Sequence, residues 1–251
     1  MRTLVRSAFA LAVAVTLLPA PARAQGRFPP DSLINVRVIP RGTEVRQVIN
    51  MMRGFTGALG VRCQYCHLGR EGQPLDSFNF ASDSLRTKRT ARIMLRMVMA
   101  INDSSLTQIP ERPTPAVQVS CATCHHGQAR PRTIEDLLAE GLQRGGLDSA
   151  VARYRDLRQR YYGSWTYDFS ENTLGNFALG VAQRGQPDNA IGLLNLNLEF
   201  NPNSGFAYAV LGEAYRMQGD TANAVTNFRT ALQKDPTNQI ATRRLREMRR
   251  N

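Results

Sequence analysis

Cys63-Gln64-Tyr65-Cys66-His67 and Cys121-Ala122-Thr123-Cys124-His125 are one pentapeptide pattern, C-x-x-C-H, written twice. Together they use all four cysteines and two of the three histidines of the chain. The pattern is that of covalent c-type haem attachment. Two thiols at this spacing bond the two vinyl-derived carbons on one edge of a porphyrin, and the adjacent histidine gives the iron its proximal nitrogen. Two C-x-x-C pairs also suit a single zinc ion, two disulfides or two redox-active dithiols. None of those requires a histidine directly after each second cysteine. The expected cofactors are therefore two haems, attached through Cys63, Cys66, Cys121 and Cys124, with His67 and His125 on the irons.

Upstream, residues 1–24 read as a secretory signal peptide. Arg2 and Arg6 form its basic start, and Ala8 to Leu18 its apolar stretch, which is too short to span a membrane. Ala22-Arg23-Ala24 is a cleavage site that puts the mature start near Gln25. A periplasmic location follows, and it agrees with haem attachment outside the cytoplasmic membrane. No cysteine lies near the cleavage site to carry a lipid. The formal charge of +12 suits an acidic protein partner or an anionic lipid surface, and haem propionates offset part of it. Nucleic acid is not an expected partner of an exported haem protein. Much of the basic excess is local, at Arg243, Arg244, Arg246, Arg249 and Arg250, and reads as a solvated helix end.

Pro29, Pro30 and Pro40 mark an extended lead-in, with a short strand expected at Val36-Arg37-Val38-Ile39. Thr43 is the expected N-cap of a helix over residues 44–59. Val45, Val48, Ile49, Met52, Phe55 and Leu59 recur along it at three- and four-residue steps, and Gly60 ends it. Each iron has a sixth position to fill. His126 is adjacent to His125 and cannot reach the opposite face of the same haem, which leaves methionine. Met52 lies within about 20° of the centre of the apolar stripe and Met51 roughly 90° from it, so Met52 is the expected ligand of the first iron. A second helix is expected from about Asp83 to Asn102, with Thr87, Thr90, Ala91, Met94, Met97, Val98 and Ile101 on one face. Met94 is preferred for the second iron, with Met97 as the alternative. A loop containing Pro110, Pro113 and Pro115 then leads to Cys121.

These residues resemble the cytochrome c subunit of photosynthetic reaction centres and smaller exported cytochromes built from the same repeat. The resemblance covers about residues 35–131. It is carried by Met52-Arg53-Gly54-Phe55 leading to Leu59-Gly60-Val61-Arg62-Cys63, by Met94-Leu95-Arg96-Met97 with Ile101-Asn102, and by Cys121 to His125 followed by Gly127. It implies a helix before each motif that supplies an axial methionine, and so favours Met52 and Met94. The reaction-centre subunit typically carries four haems, one with a distal histidine. This chain has two motifs and no histidine suited to that task.

From Ile134 the chain becomes helical pattern without cysteine or histidine. A 34-residue period is visible: Gly185, Ala190 and Pro202 recur as Gly219, Ala224 and Pro236. Tyr208, Leu211-Gly212, Tyr215, Ala224, Phe228, Ala231 and Pro236 follow the tetratricopeptide pattern. Leu174, Phe177, Val181, Ala190, Leu194 and Pro202 follow it more weakly. A degenerate unit begins at Gly146-Leu147-Asp148-Ser149-Ala150 with Tyr154. The aromatic loop Tyr161 to Tyr167 interrupts the spacing, and residues 237–250 form a capping helix.

The expected architecture is mainly α: a two-haem cytochrome c domain, 25–132, followed by a tetratricopeptide-like helical repeat domain, 133–251. The expected function is one-electron transfer, without chemistry on a substrate. The redox partners are protein donors and acceptors, among them a membrane-bound reaction centre or respiratory complex, and the repeats serve as the docking module. A two-haem peroxidase-like enzyme and a haem-based sensor or adaptor are the alternatives, and both need an open iron site.

Overall fold

The computed structural model describes residues 27–250; the signal-peptide reading lies outside them. All regular elements among the described residues are helical, and the only β pairing is an isolated bridge between Leu68 and Asn79. The strand expected at 36–39 is therefore absent; the stretch is a series of bends. No partner strand is available to take its backbone bonds.

Helix α1, Val45–Leu59, matches the predicted span. Its start differs in detail: the Thr43 hydroxyl donates to the Pro40 carbonyl at 2.8 Å, and Val48 N donates to the Glu44 carbonyl. Glu44, not Thr43, thus occupies the cap position. Gly60 ends the helix in the left-handed region at φ 63°. Helix α2, Arg86–Ala100, begins three residues later than expected, because Arg89 claims the Asp83 and Ser84 carbonyls with its guanidinium. A wider π turn, Ile101–Ser105, continues it. The short helix α3, Cys121–His125, is the second motif itself.

Helix α4, Ile134–Tyr161, is broken at Gly145 and Gly146, where φ 67° at Gly146 turns the chain back. Gly141 then faces Ala150 so closely that a side chain on it would press on the Ala150 backbone. The two halves are a helical hairpin, as the degenerate first unit requires. Two further hairpins follow: α5, Glu171–Gln183, with α6, Pro187–Phe200; and α7, Gly205–Gln218, with α8, Thr221–Lys234. Helix α9, Gln239–Met248, closes the series. The recurring positions carry the packing. Ala150, Ala190 and Ala224 are fully buried, as are Tyr154, Leu194 and Phe228. Residues from Ile134 to Ala214 form one apolar core, and Phe228 anchors a second one under α9.

Contacts group the described residues into two units: Cys63–Arg92 with residues 27–50, and Met51–Arg62 with residues 93–250. The division runs through α1 and α2, whereas the 132/133 boundary follows composition. No described helix is long and apolar enough to cross a membrane.

Candidate haem-attachment sites

The first motif lies in the first unit. Cys63–Tyr65 form a 3-10 turn, and His67 N donates to the Cys63 carbonyl at 2.9 Å, which winds both thiols and the imidazole into one turn. The Thr87 hydroxyl of α2 donates to the Tyr65 carbonyl and fixes the motif from outside. Phe80 packs edge-on against the His67 ring with centroids 4.9 Å apart, and Phe28 and Phe78 flank Phe80. Burial, followed by the charge of Lys88 and, more weakly, that of Arg92, pushes the His67 pKa down to about 4; the Phe80 backbone opposes this. Nδ1 itself is buried and makes no hydrogen bond of good geometry, since the Phe80 carbonyl beside it is held by Lys88 at 2.8 Å. The ring is therefore neutral at physiological pH and keeps the lone pair that a metal needs.

Behind this ring stands a charged cluster that sequence reasoning missed. Asp83 pairs with Arg92 at 2.8 Å, Lys88 at 3.2 Å and Arg37 at 3.4 Å. Lys88 is 8 % exposed. Its ammonium donates to the Phe80 carbonyl at 2.8 Å and the Ser82 carbonyl at 2.7 Å. It meets Asp83 Oδ1 as an ion pair without hydrogen-bond alignment. Asn35 ties the lead-in to this cluster: its Nδ2 donates to the Ala81 carbonyl, and its own carbonyl accepts from Arg92. The hydrogen bond from Arg92, with further help from Asn35 and Lys88, holds the Asp83 carboxyl well below the usual carboxylate range. The available signal was the four-residue spacing of Lys88 and Arg92, which puts both cations on one helix face.

The second motif lies in the second unit. Ser120 caps α3, with its backbone N donating to the Thr123 hydroxyl at 3.0 Å. Asn102, at the end of the α2 region, accepts from Val119 N and donates to the Val119 carbonyl, both at 2.8 Å. That two-bond clamp ties the methionine-bearing stretch to the entrance of the motif. His125 Nδ1 lies 2.7 Å from the Gln128 carbonyl. A carbonyl only accepts, so Nδ1 carries the proton and Nε2 keeps its lone pair, the tautomer of a metal-ligating histidine with an outer partner. His126 sits at φ 48°, its Nε2 donates to the Thr123 carbonyl, and its ring lies 5.1 Å from Trp165. The aromatic loop thus packs on the second motif, while Trp165 stays 60 % exposed.

Gly127, just past the motif, donates from its N to the Ala58 carbonyl at 2.9 Å. A Cβ on Gly60 would lie 2.1 Å from the Gly127 oxygen. Both the positive φ and this approach require glycine at position 60.

The methionines fall as follows. Met52 lies in α1 and is half-buried. Met94 and Met97 lie in α2, 36 % and 46 % exposed, next to Ile93 at 58 %. An exposed apolar face of this kind marks a surface made to be covered. Among residues 27–132 the only buried hydrophobic side chains are Val48 and Ala58. A flat apolar macrocycle at each motif fits these residues, since each imidazole is in a ligating form and the surrounding chain has little core of its own.

All four cysteines are free thiols, and among the described residues no three His, Cys, Asp or Glu side chains gather as a metal site. Burial pushes the Cys66 and Cys121 thiols up, opposite to the depressed thiols of redox-active pairs.

A family model described as the photosynthetic reaction centre cytochrome C subunit matches residues 62–139. The matched stretch holds both motifs and α2 but omits α1 with Met52. Cytochrome c-554 of Chloroflexus aurantiacus is 36% identical over 107 residues, covering 43% of this chain and 23% of the relative. The photosynthetic reaction center cytochrome c subunit of Rubrivivax gelatinosus is 28% identical over 116 residues, covering 39% of this chain and 30% of the relative. The chain spans less than a third of the length of these curated relatives. Its haem-motif region is similar to cytochromes c, an electron-carrier class and not an enzyme class.

Proposed function

We propose that the chain is an exported two-haem electron carrier, with the haem-bearing part in residues 25–132 and a tetratricopeptide-like docking part in residues 133–251. The observation that carries this reading is the hydrogen bond from His125 Nδ1 to the Gln128 carbonyl, inside a motif whose two cysteines flank one helical turn. It prepares one nitrogen for iron and assigns the other to the protein. When bound, the haem supplies the one-electron couple. Cys63, Cys66, Cys121 and Cys124 would anchor the macrocycles, and His67 and His125 would each give an iron one nitrogen. Met52 and Met94 would supply the second ligand of each iron, on the strength of helix position and the resemblance. A thioether ligand favours reduced iron and raises the potential relative to two histidines.

The repeat-like hairpins support a role in holding a redox protein, with a membrane-bound reaction centre or a respiratory complex as the partner class. The leader-like pattern of residues 1–24 supports a periplasmic location. Absorption spectra and carbon monoxide binding test the ligand set. The reduced protein is expected to bind carbon monoxide slowly. Met52→Ala and Met94→Ala should each open one iron and change the spectrum. If neither variant does so, the methionine assignment fails; rapid binding to the unaltered protein would remove six-coordinate electron transfer as the function.

A further inference from the structure

The two histidines stand in opposite electrostatic settings. His67 has a buried Nδ1 without a hydrogen bond of good geometry; the Phe80 backbone beside it is the available acceptor, and that carbonyl is already taken by Lys88 at 2.8 Å. Three cations, Arg37, Lys88 and Arg92, surround a single carboxylate there, Asp83. His125 instead gives its Nδ1 proton to a backbone carbonyl at 2.7 Å. Such a bond makes an imidazole a more basic ligand and favours the higher charge on a metal. A net positive surrounding in a low-dielectric region does the reverse, because it disfavours added positive charge.

Lys88 is one of two lysines in an arginine-rich chain, the other being Lys234. Its compact ammonium donates to the Phe80 and Ser82 carbonyls and meets Asp83 in a third direction as an ion pair. A planar guanidinium would not fit those three directions equally well. Its burial also limits screening by salt.

Resting on the two-haem reading above, we propose that Lys88, Arg92 and Arg37 are positioning residues that make the His67 site the more oxidising of the two. The backbone bond of His125 makes its site the more reducing. An electron delivered to the protein then comes to rest at the first site, so the acceptor partner draws from the part of the chain that carries Cys63 and Cys66.

Spectroelectrochemical titration of the intact haem-loaded protein tests this. Two one-electron waves are expected. Lys88→Gln should lower the upper wave and leave the lower one in place, by up to about tenfold in the reduced-to-oxidised ratio, equivalent to 59 mV for one electron. Asp83→Asn should move the same wave upward, and Lys88→Arg should restore most of the lost shift. Should Lys88→Gln not retain haem, Arg37→Gln, a change at an exposed side chain, should give a smaller downward shift of the same wave. Disturbed packing would move both charge variants in one direction. That result, an unmoved upper wave or a shift confined to the lower wave overturns the proposal. A protein that takes up no haem, as judged by its pyridine haemochrome, would instead overturn the two-haem reading beneath it.

Discussion

Residues 27–132 and residues 134–250 solve the problem of staying folded in different ways. In the first stretch the buried hydrophobic side chains are Val48 and Ala58 alone, and polar ties hold the backbone: the Asp83 cluster, the Asn102 clamp and the bond between Gly127 and Ala58. In the second, alanine, leucine and aromatic side chains fill the space between consecutive hairpins, and the polar bonds are helix caps such as Ser170 and Ser204 together with ion pairs such as Glu213 with Arg216 and Arg244. A helical repeat supplies its own core. The haem-motif region has little core of its own, and its polar ties hold the backbone around the motifs in place.

The largest effect that separates the regions is expected at Phe228, which is fully buried. Phe228→Ala should cost about 3–5 kcal/mol of stability while leaving the haem spectrum unchanged. Denaturant unfolding followed by circular dichroism and by haem absorbance checks both halves, and a concerted loss of the haem signal would show that the regions do not fold separately. A smaller effect is expected at the glycines. Gly60→Ala meets both a positive φ and the Gly127 oxygen, and should cost at least about 1–3 kcal/mol. Gly219→Ala has a positive φ but open space around it, and should cost about 1–2 kcal/mol. Equal losses at the two positions, measured by thermal unfolding, would remove the contact at Gly60 as an independent constraint.

The smallest effect is in acid. Asp83 is held below its unfolded value, near 3.9, so its contribution is fully present above that pH and is lost as pH falls through the lower folded value. Asp83→Asn should therefore flatten the acid limb of stability for the first stretch and leave the repeats unaffected. An unchanged acid limb in the variant would separate Asp83 from acid stability.

Local pattern made the helices legible. The apolar steps from Val45 to Leu59 gave α1, and the recurrence of Gly185 and Ala190 at Gly219 and Ala224 gave the hairpins and the turn at each glycine. The break at Gly146 followed from the same echo. The proposed roles of the four cysteines and two motif histidines rest on adjacent residues alone, because that chemistry is written locally in the chain. The Asp83 cluster was not. Asn35 and Arg37 reach it from the lead-in, and nothing in a solvated-looking Val36-Arg37-Val38-Ile39 run announces that Arg37 faces a carboxylate. For the same reason the strand expected there failed: alternation describes a face but supplies no neighbour. The start of α2 moved from Asp83 to Arg86 because carbonyls that a helix would use were taken by a side chain.

The bond from Gly127 to Ala58 has a consequence for how the protein is made. Residues 58 and 127 bracket both C-x-x-C-H motifs, so this one contact closes a single chain loop that contains every attachment point. In chain order both cysteine pairs precede Gly127, so under the proposed export and haem loading both thiol pairs would emerge before the residue that shuts the loop, and the clasp would engage only when the second motif has passed.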